Sequence, residues 1–446
     1  MNKKKFIVIF SCFCLCSFLT FALSGCRTGE DNPSEQTRKI NAPSIPGDFN
    51  TSAPKDNSQS TTDPDPNPNP DTGISITESP AHTETPTQEP TTVPTLAPTR
   101  NPAEEYDLVE YNGSPHHVFF HFLISFPEIA FAPGNSYGKN LSIDCVTPLE
   151  MWRSLEELYN ADYVLVDMNR YIHKTENGIE KSTIMVPRGK KPLIISFDDI
   201  NYYSTTLGLG VCDKLILDSN GKFAMQTKQK DGTLLITYDN CVVPLLEAFC
   251  EQYPDFTPYG DKGLLALTGF DGILGYRTNR DSASKDSEIE AVKPIVAALK
   301  KAGWSFASHS YGHIWTADTG YSAVTFDTSC WKNEVQPLVG ETFIYVYPYG
   351  QRSNGSEWVG DLPSNVKFKD LYDNGFRVFC GVGLQPFFYT QSDKSFIFMD
   401  RAAIDGRTLH ESGSKLFEFY NMRPDYIISI EERLTSYWDI TGKTPR

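Results

Sequence analysis

The chain has 446 residues, a formal net charge of −16 and 13% aromatic side chains, and its basic residues form no long cluster beyond Lys3 to Lys5. That balance excludes an electrostatic nucleic-acid binder, which needs clustered Lys and Arg to neutralise phosphates, and fits a soluble exterior domain. Composition splits the chain into three unequal parts, and only the stretch from about Asn101 onward carries enough large apolar side chains for a core.

Lys3, Lys4 and Lys5 precede an apolar run from Phe6 to Leu23 that ends in Leu23-Ser24-Gly25-Cys26. Charge, apolar length and small-residue exit follow the order of an export signal. The last four residues resemble a bacterial lipobox, which implies that 1–26 is a lipoprotein signal peptide. The same resemblance implies that Cys26 is acylated, anchoring the chain to the outer leaflet of the plasma membrane. A plain transmembrane anchor is the alternative, because the run is about long enough to span.

Residues 27–101 repeat Pro, Thr, Ser, Asp and Asn, as in Thr61-Thr62-Asp63-Pro64-Asp65-Pro66, and read as a disordered spacer. Extended Pro-rich chain rises ~3.1 Å per residue, so the tether reaches up to ~200 Å. Residues 102–446 form the globular part. Of the ten cysteines, Cys145, Cys212, Cys241, Cys250, Cys330 and Cys380 fall there with no CxxC pair. A domain of this size needs no staples, so free buried thiols are expected, with a Cys241–Cys250 bridge as the alternative.

From Val118 onward short apolar runs alternate with helical patterns, the rhythm of βα units. Val118 to Ile124 reads as a strand. Thr147-Pro148-Leu149-Glu150 opens a helix with a capping box. Strands are expected at Tyr163 to Val166, Leu193 to Phe197, Leu264 to Leu267, Ser305 to Ala307, Phe343 to Tyr347, Arg377 to Cys380 and Phe396 to Met399. Helices are expected at Val242 to Gln252 and Glu288 to Ala302. This count suits an α/β fold, a distorted or incomplete (β/α) barrel, in which reactive groups follow the strand C-termini.

At three such ends stand chemistry-bearing groups. Asp198 and Asp199 follow Leu193 to Phe197, and an adjacent pair can divide base and ligand tasks. His309 and His313 follow Ser305 to Ala307, and a spacing of four lets two imidazoles meet one ion if the residues between turn helically. One Asp with two His makes a facial site that leaves positions open for water. Tyr347-Pro348-Tyr349-Gly350 makes a tight turn able to aim a backbone N–H inward.

These segments resemble the motifs of the polysaccharide deacetylase family, whose catalytic part is the NodB homology domain. Ser196-Phe197-Asp198-Asp199 is similar to its first motif, His309-Ser310-Tyr311-Gly312-His313 to its second, and Pro348-Tyr349-Gly350 to the core of its third. The resemblance implies Asp198 as general base, and Asp199, His309 and His313 as ligands of a divalent metal, zinc by default. It also implies the Tyr349 N–H as an oxyanion donor. The Y-P-Y-G form is similar to the branch acting on poly-N-acetylglucosamine, where the acid His comes early, which implies His121 as proton donor, with His410 a weaker alternative. Many members place Arg where Val346 stands here, and Arg401 is a candidate replacement able to reach Asp198, with a surface ion pair as the alternative.

The function so implied is removal of N-acetyl groups from N-acetylglucosamine-containing cell-wall or surface polysaccharide, with no nucleic-acid partner. An O-acetyl esterase of the xylan type, or a catalytically weak glycan-binding lipoprotein, are the alternatives. Aromatic loops at Asn201-Tyr202-Tyr203, Gly208-Leu209-Gly210 and Thr268 to Gly272 are candidates for stacking on sugar rings.

Overall fold

The computed structural model describes residues 105–412 and 414–433. The leader, Cys26 and the whole spacer lie outside the described residues. Among the described residues no helix is long and apolar enough to cross a membrane.

Seven parallel strands close on themselves in chain order. They are β1 (His116–Phe120), β2 (Lys191–Asp198), β3 (Leu264–Leu267), β4 (Ser305–Ser308), β5 (Ile344–Val346), β6 (Val378–Val382) and β7 (Ile397–Ala403). Pairing of Ala402 and Ala403 in β7 with Val118 and Phe119 in β1 completes the ring. The expected (β/α) barrel is therefore borne out, closed but distorted. One distortion is at β2, whose first residues pair with the short strand Tyr163–Leu165 and whose last residues pair with β3. Another lies between β4 and β5, where a single register pair, Ser308 with Tyr345, joins the two.

Alternation along the strands divides the apolar residues into two layers. Ile194, Ala266, Ala307, Val346, Cys380 and Met399 fill the barrel, whereas Leu193, Ile195, Phe197, Phe306 and Phe398 pack outward against the helices. The helices form where caps and stripes demand. Thr147 and Glu150 make the expected capping box on Pro148–Asn160, and Val242–Gln252 matches the expectation residue for residue.

The long chain between the first two motifs is used for an antiparallel sheet of Lys214–Leu217, Phe223–Lys228 and Leu234–Thr237, which sequence reading did not place. All six cysteines of this part are free and buried. Cys241 lies against the Tyr202 hydroxyl at 3.0 Å, so the alternative bridge to Cys250 is not present.

Candidate metal and catalytic site

Asp198 is the last residue of β2, and strand alternation points its side chain into the barrel, where it is 2% exposed. Opposite it Arg401, on β7, is fully buried. Its guanidinium donates to both Asp198 oxygens, at 2.7 and 2.9 Å, and also to Ser196 Oγ at 3.0 Å. Ser196 in turn meets His117 Nε2 at 2.9 Å, so the pair rests on a buried polar layer across β1, β2 and β7. Burial opposes the Asp198 charge, yet Arg401 and then His309 outweigh it and hold the carboxyl well below the usual range. Arg401 thus reaches Asp198, as considered for it from sequence, in an interior pair rather than a surface one.

Asp199 leaves the strand in the left-handed region at φ 60. One of its oxygens accepts the Tyr203 hydroxyl at 2.6 Å, and Tyr203 is held in turn by Thr268 Oγ1 at 2.8 Å. The other faces His313 Nε2 at 3.5 Å. Burial raises the Asp199 carboxyl, but His313 and His309 more than offset it and leave it lowered.

His309 follows β4, and its Nδ1 lies 2.9 Å from the Val346 carbonyl. A carbonyl only accepts, so Nδ1 carries the proton and Nε2 presents a lone pair to the site. His313 reaches the same space, although not by a helical turn as the spacing suggested. Ser310 and His313 are both left-handed, at φ 54 and 52. The loop between them is held by Asp327, whose two oxygens accept the Tyr311 and Gly312 N–H groups, each at 2.7 Å. With those amides bound to a carboxylate from the next helix, the loop need not make helical bonds of its own. Burial lowers His313 to about 4 against the pull of Asp199, so it is neutral, the form that ligates, at ordinary pH.

Ligand atoms of Asp199, His309 and His313 all lie within 4.8 Å of one another, close enough for one ion. One carboxylate and two imidazoles form a donor set that suits a divalent metal. These three residues, Asp198, Arg401, Tyr349 and His121 line one cleft of about 540 Å³.

Tyr349 stands at φ 57, and the bonds that close its turn run from Gly350 to Tyr347 and from Gln351 to Pro348. Its ring meets the His313 edge at 4.4 Å and lies flat on Trp315, centroids 3.8 Å apart and planes 3° apart. His121 lies just past β1 in the same cleft, with Nδ1 buried and without a hydrogen-bond partner among the described residues. Asp405 also lines the cleft, and burial raises its carboxyl against the pull of the Thr408 N–H, which it accepts at 2.7 Å, the Thr408 hydroxyl and, less, His121. His410 is buried and does not line the cleft.

Of the aromatic loops, Tyr203 and Phe270 line the cleft and stack on each other at 5.0 Å, whereas Tyr202 is buried in the core. Gly210 backs directly onto Ala130, where an added Cβ would come within 2.6 Å, and it does not line the cleft. Trp315, Asp327 and Asp405 were not singled out from sequence. Trp315, two residues past His313, could have been found by proximity; Asp327 and Asp405 carry no local signal.

The chain matches no protein-family model and no curated protein. It resembles the solved structure of the Streptococcus pyogenes deacetylase PplD in complex with acetate, at 11% identity and TM-score 0.37, over 69% of this chain and 97% of that one. It also resembles a protein from Mycobacterium smegmatis provisionally described as a polysaccharide deacetylase. That likeness is at 15% identity and TM-score 0.23, over 36% of this chain and 44% of that one. At these values neither likeness carries an argument about activity.

Proposed function

We propose that the chain is a metal-dependent hydrolase that removes N-acetyl groups from an N-acetylglucosamine-containing polysaccharide, held at the outer face of the plasma membrane by lipid on Cys26. The observation that carries this reading is the convergence, in one cleft, of the Asp199, His309 and His313 donors with the Arg401-paired Asp198. The motif resemblance adds the family, the Y-P-Y-G branch and the choice of zinc.

A divalent ion held by the triad would polarise the acetyl carbonyl and make a nearby water more acidic. Asp198 takes the proton from that water. Arg401 and His309 hold the Asp198 carboxyl well below its usual range, where it is a weak base toward ordinary water, and this supports a division of labour in which the triad's ion acidifies the water and Asp198 accepts its proton. Arg401 keeps Asp198 ionised and fixes its plane, which supplies what Val346 does not. The Tyr349 N–H donates to the developing oxyanion, and His121 gives a proton to the leaving amine.

The test is acetate release from chitooligosaccharides, peptidoglycan and acetylxylan, after chelation and after restoring zinc. Release from amino sugars that follows the metal and disappears in Asp198→Asn supports the reading. Release from acetylxylan alone moves the protein to the O-acetyl esterases, and metal binding without release from any substrate leaves a glycan-binding lipoprotein.

A further inference from the structure

Strand alternation stacks a second set of polar groups beneath the cleft. Inward positions recur every second residue, so β2 supplies Ser196 below Asp198, β7 supplies Met399 below Arg401, and β1 supplies His117 below Phe119. Asp198, Ser196, Met399, Arg401 and His117 are each no more than 2% exposed. His117 is a buried titratable group that no step of the hydrolysis uses.

The directions of the bonds that join these groups follow from their chemistry. Arg401 only donates, so Ser196 Oγ accepts Nη1–H at 3.0 Å. The Ser196 hydroxyl still has its own proton to give, and its other partner among the described residues is His117 Nε2 at 2.9 Å. Nε2 therefore accepts. The proton of the neutral ring then sits on Nδ1, which faces Met399 Sδ at 3.3 Å, and a thioether only accepts. The opposite tautomer would bring Ser196 two N–H groups, leave its own proton without an acceptor, and set the Nδ1 lone pair against the sulfur. Burial, and after it the repulsion of Arg401, holds His117 well below its usual pKa against the pull of Asp198, so the ring is neutral as this direction requires.

Every link points one way. His117 donates to Met399, Ser196 to His117, and Arg401 to both Ser196 and Asp198. Nη1 divides its two protons between Ser196 and Asp198, while Nε donates to the Gly381 carbonyl at 3.3 Å and the guanidinium carbon lies 4.2 Å from the Phe119 ring centroid. The ring sets the plane of the guanidinium. The Gly381 bond is the longest of the four, so Ser196 is the closer restraint on how the fork turns within that plane.

We propose that His117 and Ser196 are positioning residues for the hydrolysis: the Nδ1–H tautomer of His117 turns the Ser196 hydroxyl so that its lone pair holds the Arg401 fork in line with Asp198. The inference rests on the hydrolase reading for the part that Asp198 plays, and it extends that reading to two residues that touch neither substrate nor metal. A reacting group misplaced by about 1 Å loses up to about 10²-fold in rate. Loss of either link therefore acts on turnover rather than on substrate binding.

Nitrogen-15 NMR of the imidazoles and steady-state acetate release from N-acetylglucosamine oligomers are measured on the full zinc-loaded chain, for the wild type, Ser196→Ala, His117→Leu and His117→Gln. The wild type is expected to show a neutral His117 protonated at Nδ1, its signals assigned by their loss in His117→Gln. Ser196→Ala and His117→Leu should lower kcat about 10–100-fold, with KM unchanged and with unchanged zinc affinity in competition with a chelator. His117→Gln, whose Oε1 can accept the Ser196 proton, restores much of the loss. A merely structural role would lower the melting temperature without that split between kcat and KM and without the rescue. An Nε2–H tautomer in the wild type, or folded variants that keep wild-type kcat, overturns the positioning role while leaving the hydrolase reading intact. Where thermal melting shows that a variant does not fold, the wild-type tautomer decides. If the wild type releases no acetate from any oligomer, the hydrolase reading fails and the positioning role falls with it, whichever tautomer is found.

Discussion

Arg401 grips Asp198 with two parallel hydrogen bonds, of 2.7 and 2.9 Å, at a depth where the guanidinium has no exposure to solvent. Removing one member of a buried, bidentate pair strands the other, at a cost of about 3–5 kcal/mol. Arg401→Met is therefore expected to lower stability by that order in urea unfolding. With its main cation gone, burial dominates at Asp198 and raises its carboxyl. The acid limb of kcat/KM should move upward in pH, whereas Arg401→Lys, which keeps charge but not the fork, should move it less. Unchanged stability and an unchanged limb would show that the pair has no role in either.

His121→Gln tests proton delivery to the leaving amine. General-acid loss costs about 10²–10⁴ in rate, so amide substrates should slow by that order. An acetyl ester with a nitrophenolate leaving group needs no such proton and should slow far less. Equal losses on both substrates would place His121 outside proton transfer.

Tyr349 separates backbone from side chain because its left-handed φ of 57 suits glycine. Tyr349→Gly keeps the N–H, so kcat should stay within about tenfold, below the 10²–10³ that loss of an oxyanion donor costs. Loss of the Trp315 stack should appear in KM instead. A kcat decrease of the full oxyanion size would mean that the ring, not glycine's permitted φ, sets the N–H.

Asp327→Asn probes the loop of the second motif. An amide oxygen can take one of the two N–H groups that Asp327 now binds at 2.7 Å, and its NH₂ faces the other. Zinc affinity, measured by competition with a chromophoric chelator, is expected to weaken about 10–100-fold, the usual effect of supporting groups around a metal. Wild-type affinity in the variant would limit Asp327 to a structural role.

A second buried pair makes a prediction about pH. Arg433 donates to both oxygens of Glu150, at 2.7 and 2.9 Å, and the Thr147 and Ser429 N–H groups add bonds to the same carboxylate. Burial opposes the charge, but Arg433 and these amides outweigh it and lower the Glu150 pKa. A depressed carboxyl stabilises the fold fully above the unfolded value of about 4.3, and that contribution is lost as pH falls through the folded value. Stability of the wild type should therefore fall with acid below about pH 4.3 more steeply than that of Glu150→Gln, as followed by thermal melting. Parallel curves for the two proteins would disprove the assignment.

Much of the frame was legible because strand ends and motif positions coincide. Leu264–Leu267 and Val242–Gln252 match expectation at both bounds, since each is a compact apolar run with clear breakers. The strand expected over Val118 to Ile124 is His116–Phe120 instead, because the polar pair His116-His117 masks its start and His121 lies past its end. The path of the chain from His309 to His313 was misread, since Asp327 lies fourteen residues beyond His313 and gives no local signal. Arg401 was ambiguous for a related reason. Only the closure of β7 on β1 and β2 puts the inward face of that strand opposite Asp198.

Four of the nine non-glycine residues that adopt positive φ among the described residues are Asp199, Ser310, His313 and Tyr349, all within the motifs. Each such conformation costs on the order of 1–3 kcal/mol, which the surrounding barrel must supply. Thermostability and turnover are thus set against each other at these positions. Selection for heat resistance alone would drift toward glycine there, at the expense of the ligands and of the cleft, whereas selection for catalysis would preserve the strain and favour compensating changes elsewhere in the barrel.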